Sequence, residues 1–334
     1  MWCFAMLPLL IACEGREQGS GAEVNSNLPL SEQIAAATEE INANRMNASA
    51  FHKRSQLHLY NRDLPRAMDD VSVAMNINAS VADYYYTLSD IHFANGDIVL
   101  ATEALSEGLE LAPDNVRALL ALAEMYYVLK NMKSSVSLLK RVTAIDKHNA
   151  QAYLIHGMIF TELGDTARAI SSLQTAVENN PNLEKAHLEL GLLHYARLNP
   201  MTVNYLNNVI TINPENIFAL YTKSMFYQKT GEVDLASDTY LQLLEINPDN
   251  AEAHYNLGHI CVEFKGDFEG AMKHFSNAIR SDSSHYKALY MRGLCRESLA
   301  KYDKARTDYL KSLDLKTNYE LAIQGLNRLD KIGQ

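Results

Sequence analysis

The 334-residue sequence predicts an all-α fold, an α-solenoid of about eight stacked helix–turn–helix repeats with a capping helix at each end. Three observations predict it. A pattern of small and apolar residues recurs from about residue 48 with a period near 34. Glycine followed by an acid, as at Gly96-Asp97, Gly164-Asp165, Gly231-Glu232 and Gly266-Asp267, recurs between the halves of the period. A proline recurs near the period's end, at Pro113, Pro181, Pro214 and Pro248. One helix pair cannot bury its own apolar face, so units of this kind must stack on neighbours.

The elements follow in chain order. Residues 1–12 read as an export signal: Trp2 to Ala12 is uncharged and mostly apolar, and shorter than the roughly 20 residues that span a bilayer. No Lys or Arg precedes the apolar run, which departs from the usual positively charged start. The tetrad Leu10-Ile11-Ala12-Cys13 resembles the lipobox of bacterial lipoproteins. That resemblance implies removal of residues 1–12 and a lipid on Cys13. Residues 13–29, rich in Gly, Ser, Asn and Glu, have too little apolar content to fold and suit a flexible tether. Residues 30–46 predict an amphipathic capping helix with Ser31 as its N-cap.

Residues 48–319 hold the eight repeats. Gly157, Gly191, Gly258 and Gly293 let the two helices of a pair approach closely, facing small residues such as Ala169, Ala271 and Ala305. Gly96, Gly164 and Gly231 allow the positive φ that ends a first helix. The prolines end second helices, because the residue before proline avoids the helical region. Some copies depart from this pattern. Arg54-Ser55 stands where Leu-Gly is usual, and Asn131 stands for the turn glycine. Asn199-Pro200 shortens one turn and Lys265-Gly266 lengthens another, both read as loop-length changes. Residues 320–334 predict a last capping helix with Leu321, Leu326 and Leu329 inward and Arg328, Asp330 and Lys331 outward.

The copies resemble the tetratricopeptide-repeat (TPR) family. The clearest carries Ala253, Leu257, Gly258, Ala271, Phe275 and Ala278, and a second carries Ala152, Tyr153, Gly157, Phe160, Ala169, Leu173 and Ala176. The resemblance covers roughly four-fifths of the chain. It implies a right-handed superhelix whose first helices line a concave face, and a protein that binds proteins or peptides without catalysing a reaction. Carried onto this sequence, the inward positions include His52, Tyr86, Leu120, Leu154 and Leu188, then Tyr221, Tyr255 and Tyr290. Phe93, Tyr127 and Tyr195 follow one turn on. Arg117, Lys185 and Lys287 share the wall with the acids Asp83, Asp90 and Glu124. The tyrosines are either groove or hairpin core. Some members clamp a terminal carboxylate with a Lys and an Asn one turn apart. The matching places here hold His52 with Gln56 and Tyr86 with Asp90, so that ligand is not expected.

Composition narrows the function classes. Hydrophobic residues make up 47% and charged residues 21%, enough to bury a core. Lys and Arg number 30 against 40 Asp and Glu, for a net charge of −10. With no basic run interleaved with aromatics, nucleic acid is not an expected partner. Phosphate-loop, dinucleotide, nucleophile-elbow and zinc-protease motifs are absent, so neither enzyme activity nor a cofactor or metal is expected. His254 and His259 lie off the spacing that puts two ligands on one helix face. His58, His92 and His194 share one repeat position, which predicts packing with one ring nitrogen satisfied. Cys261 and Cys295, one period apart, either pair or pack as small apolar residues.

The resulting expectation is a scaffold lipid-anchored in a bacterial cell envelope, at the outer membrane, holding a peptide or protein in its groove. A cytosolic scaffold without lipid is one alternative. A glycan-uptake surface lipoprotein is another, disfavoured because the one Trp, Trp2, lies in the signal.

Overall fold

The computed structural model describes residues 28–332, so the predicted signal, Cys13 and nearly all of the tether lie outside the described residues. The chain is all-α, with helices packed in consecutive pairs. It divides into two compact units.

The N-terminal unit holds α1 (Leu30–Ala43) and the pairs α2 (Ala48–Tyr60) and α3 (Leu64–Ile77), α4 (Ala82–Ala94) and α5 (Ile98–Leu111), α6 (Val116–Val128) and α7 (Met132–Ile145), and α8 (Ala150–Glu162) and α9 (Thr166–Asn179). The C-terminal unit holds α10 (Glu184–Tyr195) and α11 (Met201–Ile212), α12 (Ile217–Thr230) and α13 (Val233–Ile246), α14 (Ala251–Lys265) and α15 (Phe268–Ser281), and α16 (Tyr286–Ser298) and α17 (Tyr302–Leu315). It closes with α18 (Glu320–Ile332).

Local chemistry sets the helix boundaries. Asn47, Asn115, Asn149, Asn216 and Asn250 each cap a first helix by accepting the N–H three residues on. Asp63, Asn131, Asp165 and Asp267 do so for second helices. Ala112, Asn180, Asn213 and Asn247, each before a proline, leave the helical region as predicted. Ser31 does not cap α1. The N-cap position is Pro29, two residues earlier, and the Gln33 amide donates back to the Leu28 carbonyl.

Between the helices of a pair, Gly96 and Gly164 take φ of 88° and 75°. The next N–H reaches back to the first helix, Asp97 to His92 O and Asp165 to Phe160 O at 2.9 Å. The same turn recurs without glycine at Arg62, Lys130, Leu198 and Ala300, all at positive φ. Lys130, not Asn131, therefore stands for the turn glycine, while Asn131 caps α7. Stacking dictates the turn, and at these places it overrides the roughly 1–2 kcal/mol preference of an L residue against that conformation. The extra residue at Lys265-Gly266 is not a longer loop. It extends α14 to 15 residues.

The seams between paired helices are close. A Cβ on Gly157 would lie 2.5 Å from Leu173 Cγ, and one on Gly293 would lie 2.6 Å from Tyr309 Cε1. Where glycine is replaced by Ser55 or Ser89, the buried hydroxyl donates to the facing carbonyl of Ala67 or Ala101. A buried polar group costs little once its hydrogen bond is made.

The first and last pairs carry matching charge networks. Arg54 of α2 makes two bonds to Asp70 of α3, at 2.7 and 2.8 Å, and a third to Thr38 of α1. Arg292 of α16 makes two bonds to Asp308 of α17, at 2.8 and 2.9 Å, and a third to Ser276 of α15. Arg296 adds a 2.6 Å contact to Asp308, which is 1% exposed. The cap α1 thus meets α2 through Thr38 as α15 meets α16 through Ser276.

The C-terminal cap turns Leu326 and Leu329 inward as predicted, but not Leu321. Ala322, Gly325 and Leu329 are buried, whereas Leu321 is 44% exposed. Gly325 lets the Tyr309 ring lie where a Cβ would stand. Arg328 does not simply point outward, because it pairs with Glu297 at 2.8 Å. Cys261 and Cys295 are free thiols. Cys295 is buried and its thiol is pushed up to about 12 by burial. His58 is buried with Nε2 3.9 Å from Asp70. His194 corrects the predicted ring-nitrogen bond: neither nitrogen finds a partner among the described residues, because the ring stacks on Tyr205 at 5.4 Å.

Candidate functional groove

In the N-terminal unit the first helices α2, α4 and α6 line a groove of about 710 Å³, with Leu105 of α5 and Gln151 of α8. Its position follows from the repeat. Each first helix begins at its Asn or Val cap, so residues at matching distances from the caps face the same way in successive pairs. His52, Tyr86 and Leu120 form one such row, and Gln56, Asp90 and Glu124 form another. Ala118 and Ala121 are small, which keeps the channel open beside α6.

The floor is apolar with polar edges. The Tyr86 ring fills the space over Gly108, and its hydroxyl donates to Gly108 O at 3.3 Å. Burial and nearby Asp83 push the Tyr86 hydroxyl above its ordinary range. His52 Nε2 lies 2.8 Å from Thr87 Oγ1, and the ring rests 4.7 Å from that of Tyr84. Burial holds its pKa below the ordinary value, against an opposing pull from Asp83. The walls carry Asp83, Asp90 and Glu124 against Lys53 and Arg117. Lys53 sits 3.1 Å from Glu40 of α1, and Glu124 accepts from Gln151 at 2.9 Å.

Of the predicted site residues, Tyr86 and Arg117 line this groove. Phe93 is half-buried on α4. Tyr127 is buried, its hydroxyl donating to Glu162 with Lys130 5.4 Å above its ring. In the C-terminal unit Tyr195 is half-buried, with Lys229 4.6 Å above its ring and Phe226 6.4 Å away. Tyr221 packs edge-on to Tyr240 and accepts from Asn256 at 3.3 Å. Tyr255 lies 4.9 Å from His285 and 5.8 Å from Phe275, its hydroxyl pushed up to about 12 by burial. Tyr290 is 8% exposed, between Tyr309 and Tyr319. These contacts commit much of the Tyr221, Tyr255 and Tyr290 surface to packing. Lys185 is half-buried and Lys287 exposed.

Sequence reasoning did not single out Ser49, Asn115, Leu105 or Gln151 as lining. The one available signal was for Ser49 and Gln151, each three residues before an inward position, His52 and Leu154. It also missed the His254–His274 contact, Nδ1 to Nδ1 at 3.3 Å between α14 and α15. Burial lowers both of those pKa values. Among the described residues no three His, Cys, Asp or Glu side chains gather as a metal site would require. The groove offers contact area, hydrogen-bond acceptors and negative charge.

Comparisons with known proteins agree with this architecture. Family models described as tetratricopeptide repeat match residues 92–159, 150–183 and 263–320, and one described as TPR repeat matches residues 225–263. The chain is 24% identical over 211 residues to a DnaJ homolog subfamily C member 7 homolog of Schizosaccharomyces pombe, covering 62% of this chain and 40% of that protein. It is 30% identical over 112 residues to the uncharacterized protein y4yS of Sinorhizobium fredii, covering 33% of this chain and 60% of that one. It thus spans less than two-thirds of either curated relative. Among solved structures, the C-terminal part of a TPR repeat-containing protein from Cytophaga hutchinsonii superposes with a TM-score of 0.63. That match has 17% identity and covers 72% of this chain and 99% of that one.

Proposed function

This chain belongs to the tetratricopeptide-repeat family, and from that premise we propose that it is a non-enzymatic scaffold holding a peptide segment of a partner protein in its N-terminal groove. The observation that carries the reading is the 710 Å³ channel lined by successive first helices. Ligand sites are concave and combine apolar contact surface with fixed polar groups, and this channel sets Tyr86, Leu105 and Leu120 among a majority of polar and charged side chains. Its rows repeat from pair to pair, which matches the repeating backbone of an extended peptide better than a compact small molecule.

Ala121→Trp would fill the channel from α6 without touching a seam. Peptides selected on the natural protein from a random library should bind this variant at least about tenfold more weakly. The helical melt should stay unchanged. Equal binding of the selected peptides by the variant would place the interaction elsewhere.

The envelope part of the reading rests on sequence alone. In this proposal the scaffold is attached to a bacterial outer membrane through lipid on Cys13. The tetrad ending at Cys13 and the polar residues after it support the attachment. Among the described residues no helix is long and apolar enough to cross a membrane. Cells fed labelled palmitate should label the natural chain and not Cys13→Ser. Equal labelling of both would remove the anchor from the proposal and leave the groove untouched.

A further inference from the structure

We propose that the His254–His274 pair is a pH-sensitive latch that holds α14 to α15 near neutral pH and releases them in acid. The inference stands apart from the groove reading, since both residues belong to the C-terminal unit. His254 of α14 is buried and His274 of α15 is half-buried. Their Nδ1 atoms lie 3.3 Å apart and their ring centroids 5.6 Å apart. Neighbouring pairs use an apolar residue at the same place. Four residues after their caps, α12 and α16 carry Leu220 and Leu289, both buried. His254 stands at that place in α14, so a contact that depends on protons replaces one that does not.

Hydrogen bonding fixes which ring atoms hold protons. His254 Nε2 lies 3.1 Å from the Pro248 carbonyl, which can only accept, so Nε2 carries the hydrogen. A neutral His254 ring then has a lone pair at Nδ1, and His274 Nδ1–H donates to it. One further proton goes to His274 Nε2 and leaves this bond in place. A second must go to His254 Nδ1. It removes the acceptor and sets two N–H groups and two positive charges face to face in the seam.

The surrounding charges do not rescue that state. Asp249 draws a proton to His254 and Arg280 repels one, and these two side chains lie 4.0 Å from each other. Asp267 draws a proton to His274, but one of its oxygens already accepts from the Gly270 N–H. Among the described residues no charged group of α13 or α16, which pack against α14 and α15, acts on either ring. Burial is the largest effect at both rings and holds both pKa values below the ordinary value of about 6.5. The opened pair therefore takes up protons more readily than the closed one. By linkage, the closed pair keeps its full stability above about pH 6.5 and loses it as the pH falls further.

Amide hydrogen exchange of the full chain, read by mass spectrometry at about pH 7.5 and about pH 5.5, tests the latch. Protection in each helix is taken relative to the unfolded chain at the same pH. Helices α12 and α13 contain no histidine and serve as the internal reference. Between the two conditions α14 and α15 should lose at least about tenfold more protection than that reference. His274→Gln keeps an amide donor for His254 and places nothing there that titrates. It should hold α14 and α15 closed in the neutral condition and cancel most of the extra loss in the acid one. His259 lies on α14 and His285 touches Tyr255, so only the difference between the two proteins is assigned to the latch. Equal loss from α12 to α15, or the same extra loss in His274→Gln, would overturn the inference. If the variant is already loose near neutral pH, ring-proton titration of His254 and His274 in the natural chain by NMR decides. Midpoints of both rings below about 6.5 would support the latch, and either one at or above that value would overturn it.

Discussion

Asp308→Ala should cost about 3–5 kcal/mol of stability. Asp308 accepts two bonds from Arg292 and one from Arg296, and its side chain is 1% exposed. Removing the carboxylate leaves two guanidinium groups facing each other in a seam that water reaches poorly. A buried charge that loses its partner is costly, whereas replacing a whole buried pair with apolar residues of similar size is often neutral. Asp308→Leu combined with Arg292→Met should therefore recover a large part of the loss. Asp70→Ala, at the matching place in α3, should cost less, because a single guanidinium, Arg54, bonds to it. Urea unfolding followed by circular dichroism would read all three. A loss below about 1 kcal/mol for Asp308→Ala would mean that both arginines swing out to solvent.

Phe275→Ala should cost about 3–5 kcal/mol, because the ring is fully buried between α14, α15 and their neighbours. Gly258→Ala should cost about 1–3 kcal/mol by a different route, overpacking. Its new Cβ would stand 2.7 to 2.9 Å from three atoms of the Phe275 ring. A flat, buried ring cannot turn aside as a flexible chain end can. The two effects are one contact seen from both sides, so they should not add. In a Phe275→Ala background the clash is gone, and Gly258→Ala should turn stabilising by up to about 1 kcal/mol through helix propensity. Hydrogen exchange of α14 and α15 amides would localise the change, which matters because repeat arrays can lose strict two-state unfolding. An equal penalty from Gly258→Ala in both backgrounds would refute the seam argument.

Much of the fold was legible because repeat signals are local. A proline acts on the residue before it, and Gly96 or Gly164 acts on its own φ. None of these needs knowledge of a neighbour. Where reading went astray, the deciding contact was distant in sequence. Lys130 takes a glycine's conformation because α6 and α7 must pack. Leu321 is exposed because Gly325, not a leucine, meets the Tyr309 ring. The groove was half legible. The family resemblance, carried along the repeat spacing, put Tyr86, Arg117, Asp83, Asp90 and Glu124 on one wall, and all line the channel. The same spacing could not tell Tyr86, at a groove, from Tyr290, under Tyr319, since both obey one period.

By itself, then, the sequence determined the helix pairs, their stops and starts and their small-residue seams, because those depend on backbone preferences within a few residues. Tertiary structure alone decided which acids are buried under arginines and which line an open channel. It also decided which tyrosines are spent on packing. Those outcomes depend on whether a neighbouring helix covers a side chain, and coverage arises from the stack as a whole rather than from any residue in it.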